Sequence, residues 1–261
     1  MNQAGRCAPG NAQPRRESLM KRILVTGAGT GIGRACAKRL AKDGFEVVLH
    51  CNKSLEKAQE ALQEIEAAGG KGSVLQFDVT DRAAARSVLE KELEDHGFFW
   101  GLVLNAGMNA DESLAMMSDD EWDSVLNTNI SGFYNVVKPC LTPLITAHKG
   151  GRIVAMSSVS AIAGNRGQAN YAASKAAVTA AVQSLAVELA RRGITCNAVA
   201  PGLIDTSMAR LEPAIMSKIV DAIPMRRIGK PEEVAAAVSF LMSDGASYIT
   251  RQVISVNGGM I

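Results

Sequence analysis

The sequence predicts an α/β fold, a doubly wound parallel sheet of about seven strands with helices on both faces. From residue 21 onward, short β-branched runs alternate with longer helical patterns, the signature of parallel strands joined by crossover helices. The apolar runs are continuous, as strands covered on both faces require. No repeat or second-domain boundary interrupts them, and 261 residues with 47% hydrophobic side chains suffice for one full core.

KRILVTG, from residue 21, is the first strand and RACAKRLAKDG the first helix; FEVVLHC and an Ala/Glu-rich stretch over 54–68 repeat the unit. SVLQFDV leads to a helix over about 81–96, GLVLNAG to a long helix after Ser118, and GRIVAMSS to a helix over 171–192. ITCNAVAPG is the sixth strand. A last helix begins near Pro231, where proline suits the first turn, and QVISVNGG is the seventh strand. Between Gly202 and Gly229, Pro213, Pro224 and several methionines lack a strong period, which predicts a mobile loop carrying one or two short helices.

Composition excludes several function classes. The formal charge of +2 traces to the first twenty residues, where Arg6, Arg15 and Arg16 face Glu17, so the remainder presents no general field for nucleic acid or membrane. No apolar run approaches the roughly 18 residues of a membrane span. The leader over 1–20 has no hydrophobic segment and reads as a disordered tail, with Met20 a candidate start. A transit peptide is the alternative reading of its arginines, against which Pro9, Gly10 and Pro14 break any amphipathic helix. Cys7, Cys36, Cys51, Cys140 and Cys196 form no CxxC pair, and four of them sit in apolar or helical stretches, as fits a reducing cytoplasm. Three scattered histidines show no metal-ligand spacing.

TGAGTGIG follows the first strand and opens the first helix. Glycines there let the backbone approach a pyrophosphate, and the helix start, with Thr30, Gly31, Ile32 and Gly33, offers free N–H groups and partial positive charge. A glycine-rich turn without a ligand is the plainer alternative, which the strand before and the helix after argue against. From Thr26 and Gly27 the spacing is TGxxxGxG, and here the chain resembles the short-chain dehydrogenase/reductases, whose fold is Rossmann-like. Sites that prefer NAD place an acidic residue at the end of the second strand; here His50, Cys51, Asn52, Lys53 and Ser54 hold no carboxylate, which favours NADP(H). Lys53 as an exposed loop lysine is the alternative. Asp78 and Val79 match the family's adenine-binding pair, although Asp78 equally suits a turn before the helix at Asp81. Asn105, Ala106 and Gly107 form the NAG turn that the family sets against the cofactor, and its structural role is the larger.

Tyr171 and Lys175 lie four apart in YAASK, on one face of a helix. A tyrosine with an ordinary pKa near 10 needs roughly 4 kcal/mol of differential stabilisation to exchange protons three units lower, and an adjacent ammonium supplies part of it. An amphipathic helix with a buried tyrosine and a surface lysine is the plainer reading. Ser158 ends the strand GRIVAMSS, 13 residues before Tyr171, at the spacing of the family's catalytic serine; Ser157 is the competing choice. Asn129, in NTNIS, matches the family's helix-interior asparagine, with Asn127 nearby and a simple hydrogen-bonding role as the alternative.

These motifs and Pro201-Gly202 fall in family order over 21–261. The resemblance implies that Tyr171 protonates a carbonyl oxygen, Ser158 hydrogen-bonds it, Lys175 binds the nicotinamide ribose and stabilises tyrosinate, and Asn129 holds a water in a proton relay. It also places Thr206 and the backbone of Ile204 near the carboxamide. Within the family, NRGQANYAASKAAV, APGLIDTSM and TRQVISVNGGMI are most similar to 3-oxoacyl-acyl-carrier-protein reductases. An acidic acyl carrier protein is then the expected partner, for which Lys149, Arg191 and Arg192 offer positive charge; cations suited to a helix C-terminus are the equal alternative. Met208, Met216 and Met225 are candidates for an acyl pocket or for ordinary packing. The resemblance implies a homotetramer built from the helix of Tyr171 and the last helix-strand unit, with Phe133, Val136 and Val137 as candidate contributors. Oxidation of a small sugar, steroid or other secondary alcohol, and a silent NADP-binding scaffold or sensor, are the alternative functions.

Overall fold

The computed structural model describes residues 20–206 and 213–261, the second stretch with its side chains from residue 216. The expected N-terminal extension up to residue 19, Cys7 and Met208 lie outside the described residues.

Seven strands, β1 (Arg22–Val25), β2 (Glu46–Cys51), β3 (Lys71–Gln76), β4 (Gly101–Leu104), β5 (Gly151–Met156), β6 (Ile194–Pro201) and β7 (Val253–Val256), form one parallel sheet in the order β3-β2-β1-β4-β5-β6-β7. Successive strand side chains point to opposite faces, so Ile23, Val25, Val47, Leu49, Val154 and Met156 enter one core while Leu24, Val48, Ile153 and Ala155 enter the other. Both faces are covered, which is why the runs read as continuous. The first core is closed by α1 (Gly31–Lys42), α2 (Leu55–Ala67) and α9 (Pro231–Met242). The second is closed by α3 (Arg82–His96), α5 (Gly132–Thr146) and α7 (Ala169–Leu189).

The long helix expected after Ser118 is interrupted. Ser118 and Glu121 form a reciprocal cap on α4 (Asp119–Leu126), a π-helical turn spans Asn127–Ser131, and α5 continues from it. The helix expected over 171–192 starts two residues earlier, at Ala169, and ends in a 3₁₀ turn, Ala190–Arg192. Gly193, in the left-handed conformation at φ 69°, turns the chain into β6. Two further helices are α6 (Val159–Ala163) and α8 (Pro213–Ala222), the latter inside the predicted loop, and a 3₁₀ turn, Asp244–Ala246, follows α9.

Two expectations are corrected by this placement. Val136 and Val137 are buried in the second core and so are committed within the subunit, whereas Phe133 packs against that core and stays half-buried. Lys149, Arg191 and Arg192 are exposed, but they precede β5 and β6 at the amino-terminal edge of the sheet, opposite the edge where α/β sheets bind ligands. Cations at the ends of α5 and α7 suit the helix dipole. Cys36, Cys51, Cys140 and Cys196 are free and buried, and burial pushes the thiols of Cys36, Cys140 and Cys196 up to about 12.

Leu102, fully buried in β4 at the centre of the sheet, reports on the second core. Leu102→Ala is expected to lower the unfolding free energy by about 2–5 kcal/mol, read as an earlier denaturant midpoint; a change under about 0.5 kcal/mol would contradict that packing.

Candidate active site

The chain runs from β1 outward to β3, then returns to place β4 on the other side of β1. The connections leaving β1 and β4 therefore diverge, opening a crevice at the carboxyl ends of the strands. The glycine turn follows β1, the NAG turn follows β4, Ser158 follows β5 and Gly202 follows β6.

The glycine turn is built for close approach. Gly27 (φ 64°) and Gly31 (φ 52°) take left-handed conformations, and a Cβ on Gly33 would lie 2.1 Å from the Gly27 carbonyl oxygen. Thr30 caps α1 with no side-chain hydrogen bond, and the first turn carries no acidic residue. The N–H groups at that helix start and its dipole are thus left for an external anion, the chemistry a pyrophosphate requires. Thr206 approaches the same point, its Cγ2 3.2 Å from where a Gly31 Cβ would sit, whereas Ile204 is buried and bridges to Gly229. Gly202 packs its backbone against Asn257.

At the end of β2, Asn52 and Lys53 are exposed, and Ser54 precedes α2 with its hydroxyl 2.9 Å from where a Gly29 Cβ would sit. Backbone hydrogen bonding from Thr80 holds the Asp78 carboxyl below its ordinary value, with the Thr80 hydroxyl, Asn52 and the Lys53 charge acting in the same direction against desolvation. Asp78 thus fastens its own turn and faces the β2 end. Val79 is buried, and its carbonyl accepts from the Asn135 amide at 2.8 Å.

Thr26 and Asn105 sew β1 to β4. The Thr26 hydroxyl accepts from the N–H groups of Asn105 and Ala106, both at 2.9 Å, while the Asn105 amide donates to the carbonyls of Thr26 and Gly27. A Cβ on Gly107 would lie 3.0 Å from Asn129 Oδ1 and 3.1 Å from Lys175 Nζ, so glycine admits both side chains beside the NAG turn.

Asn129 is buried in the π turn. Its Oδ1 accepts from the Met108 N–H, and its Nδ2 donates to the Met108 carbonyl and the Ser174 hydroxyl, all at 2.9 Å. The amide thus pins the connection after β4 to α7. Ser158 and Ser157 point to different places: Ser157 bonds Thr179 Oγ1 at 2.8 Å inside α7's packing, whereas Ser158 faces Tyr171 and caps α6 by accepting from the Ser160 N–H.

Lys175 is buried and donates to the Met156 carbonyl at 2.9 Å; its Nζ sits 5.7 Å from the centre of the Tyr171 ring. Burial pulls the ammonium down to about 8. Burial also raises the Tyr171 phenol above its ordinary value, with the Ser158 hydroxyl opposing and the Asp111 carboxylate reinforcing. Without a ligand, desolvation therefore outweighs the stabilisation of tyrosinate expected from the lysine.

Sequence reasoning missed the frame around this group. Gln168 accepts from Ser160 and donates to Asp111, and the Glu112 N–H donates to the Gly167 carbonyl, tying the connection after β4 to the start of α7. Ser174, three residues beyond Tyr171, was legible only as a neighbour on the helix face. Of the candidate pocket methionines, Met216 is partly buried and Met225 is 60% exposed. No group of three or more metal-binding side chains occurs among the described residues.

A family model described as enoyl-(acyl carrier protein) reductase matches residues 27–261. The 3-oxoacyl-[acyl-carrier-protein] reductase FabG of Aggregatibacter actinomycetemcomitans is 50% identical over 242 residues, covering 93% of this chain and 100% of the relative. FabG of Staphylococcus aureus (strain Mu50) is 41% identical over 93% of this chain and 98% of its own length. Nodulation protein G of Azospirillum brasilense is 40% identical over 92% and 98%. The family match spans the turns that border the crevice, and the chain belongs to the short-chain dehydrogenase/reductase family of oxidoreductases.

Proposed function

We propose that residues 21–261 form one reductase domain that reduces a 3-oxoacyl thioester on acyl carrier protein to the 3-hydroxyacyl thioester with NADPH, in fatty-acid-type synthesis. The observation that carries this reading is the hydroxyl pair of Ser158 and Tyr171 facing one another at the crevice with Lys175 buried behind them. A carbonyl reduction needs two hydrogen-bond donors at one oxygen, one of which gives up its proton. The names of the relatives supply the substrate class, and the described enoyl reduction of the matching family model is the second reading.

NADPH, when bound, supplies the hydride. Gly27 and Thr30 to Gly33 would hold its pyrophosphate, Asn52, Lys53 and Ser54 its 2′-phosphate, Asp78 and Val79 its adenine, and Asn105 to Gly107 with Pro201, Gly202, Ile204 and Thr206 the nicotinamide half. Ser158 fixes the carbonyl oxygen by donating a hydrogen bond, and Tyr171 transfers its phenolic proton to that oxygen as negative charge develops. The raised phenol keeps the acid form populated at neutral pH, as reduction requires. Lys175 places a cation beside the resulting tyrosinate and would hold the nicotinamide ribose. A cavity of about 10 Å³, room for one water, is lined by Thr26, Asn129 and Lys175 and suits a proton relay past Asn129.

We further propose a cytoplasmic homotetramer. The four buried free thiols suit a reducing compartment, and no helix among the described residues is long and apolar enough to cross a membrane. Val187 on α7, Phe240 on α9 and Tyr248 beyond it are large exposed apolar side chains in the expected assembly elements. A sedimentation coefficient of monomer size at micromolar protein would contradict the tetramer.

Turnover is measured as NADPH oxidation with acetoacetyl-acyl carrier protein. Tyr171→Phe is expected to lower kcat by about 10²–10⁴-fold while NADPH still binds, and Ser158→Ala by about 10²–10³-fold; unchanged turnover in either would remove that residue from the chemistry. Lys53→Glu is expected to shift the NADPH-to-NADH preference about ten- to a hundredfold towards NADH, and an unchanged ratio would contradict the 2′-phosphate assignment.

The Lys175 ammonium, held down to about 8 against an unfolded value of 10.5, destabilises the fold below that window. The folded state releases this proton first, so stability rises as pH increases from about 8 to 10.5. Lys175→Met is therefore expected to abolish turnover yet stabilise the protein at pH 7 by about 2 kcal/mol, the relieved burial less one lost hydrogen bond. A destabilised Lys175→Met at pH 7 would contradict this account.

A further inference from the structure

We infer that His50 is a positioning residue for the dinucleotide cradle: its ring accepts the Gly27 N–H, and its backbone carbonyl accepts the Ala28 N–H, fixing the glycine turn in its binding shape. His50 lies in β2, 2% exposed, with its ring 4.0 Å from the Phe77 ring centre. Gly27 N is 3.2 Å from Nδ1, Ala28 N is 2.9 Å from the His50 carbonyl oxygen, and Nε2 is 3.0 Å from the Phe77 carbonyl oxygen. A carbonyl only accepts and an amide N–H only donates, so the contacts assign one tautomer, with the proton on Nε2 and a bare Nδ1 towards the turn. Burial holds the ring down to about 4, against the opposing pull of the Phe77 carbonyl and the Asp78 carboxylate, so it stays neutral where the enzyme works.

The site has two halves. Asn105 donates to the carbonyls of Thr26 and Gly27, and His50 takes the N–H groups of Gly27 and Ala28, so both sides of the left-handed Gly27 peptide are anchored from neighbouring strands. With those two donors engaged by His50, neither competes for an anion with the N–H groups at the start of α1. An unaccepted Gly27 N–H would leave a half-buried donor without its acceptor and the turn free to rotate away from the shape that presents α1.

The inference rests on reading this turn as the NADPH cradle, and the experiment separates the two. Asn places its Oδ1 where histidine has Nδ1 but cannot reach Phe77, whereas Leu offers neither group, so both variants lose the Phe77 bond and only Leu loses the Gly27 acceptor. NADPH affinity by fluorescence titration is expected to fall about tenfold in His50→Leu and to stay within about threefold in His50→Asn, with the Leu loss larger in KM for NADPH than in kcat. In the ligand-free protein, hydrogen exchange at the Gly27 amide should be slow in the unchanged chain and in His50→Asn and fast in His50→Leu. ¹⁵N spectra of His50 should show an unprotonated Nδ1. Equal NADPH affinity in both variants, affinity losses that track thermal midpoint in both, or a protonated Nδ1 would overturn the inference. Failure of the unchanged protein to bind NADPH would overturn the cradle reading, and the Gly27 exchange rates would still decide whether His50 sets the turn.

Discussion

The Thr26–Asn105 exchange of hydrogen bonds is the joint on which the rest of the molecule depends. A doubly wound sheet places its crevice where two neighbouring strands send their connections apart, and nothing in the strand ladder holds those diverging connections in register. Here the Thr26 hydroxyl takes two N–H groups of the NAG turn, and the Asn105 amide returns two bonds to carbonyls of the turn after β1. The glycine turn and the NAG turn become one rigid edge, and the helix start of α1 and the recess beside Gly107 face a common space.

From that edge outward, fixed contacts set the rest of the crevice. Asn129 clamps Met108 to Ser174, Gln168 links Ser160 to Asp111, and Lys175 reaches across to Met156. These bonds join separate elements, so the geometry of Ser158, Tyr171 and Lys175 is overdetermined by packing before any ligand binds. The burial that fixes them has a consequence for their protons: it lowers the lysine and raises the tyrosine, opposite to what paired charges alone would do. A ligand that brings positive charge into this recess works against the desolvation that raises the tyrosine.

Most of the fold was legible because the strands are covered on both sides, so KRILV, FEVVLHC and GRIVAM read as unbroken apolar runs. Glycines at Gly27, Gly31 and Gly33 were legible because each is forced by a left-handed backbone or a near-contact. The π turn at Asn129 was not, since a single inserted residue leaves the helical period on either side intact. Sequence could not say which edge of the sheet Lys149, Arg191 and Arg192 join; connectivity puts them before β5 and β6, away from the carboxyl edge. Val136 and Val137 carry the same apolar signal whether they face the sheet or a partner subunit. His50 reads as one polar interruption in an apolar strand, and only the three-dimensional position of Gly27 gives its ring a task.

Two hydroxyl donors and a buried lysine are proposed to serve reduction at a carbonyl carbon, where a proton must reach an oxygen bonded to the carbon that receives hydride. The direct test is NADPH oxidation by the unchanged protein with a 3-oxoacyl and a 2-enoyl thioester of equal chain length on the same acyl carrier protein. The expected result is a kcat/KM at least about a hundredfold higher for the 3-oxoacyl substrate. Equal or greater turnover of the enoyl thioester would contradict it.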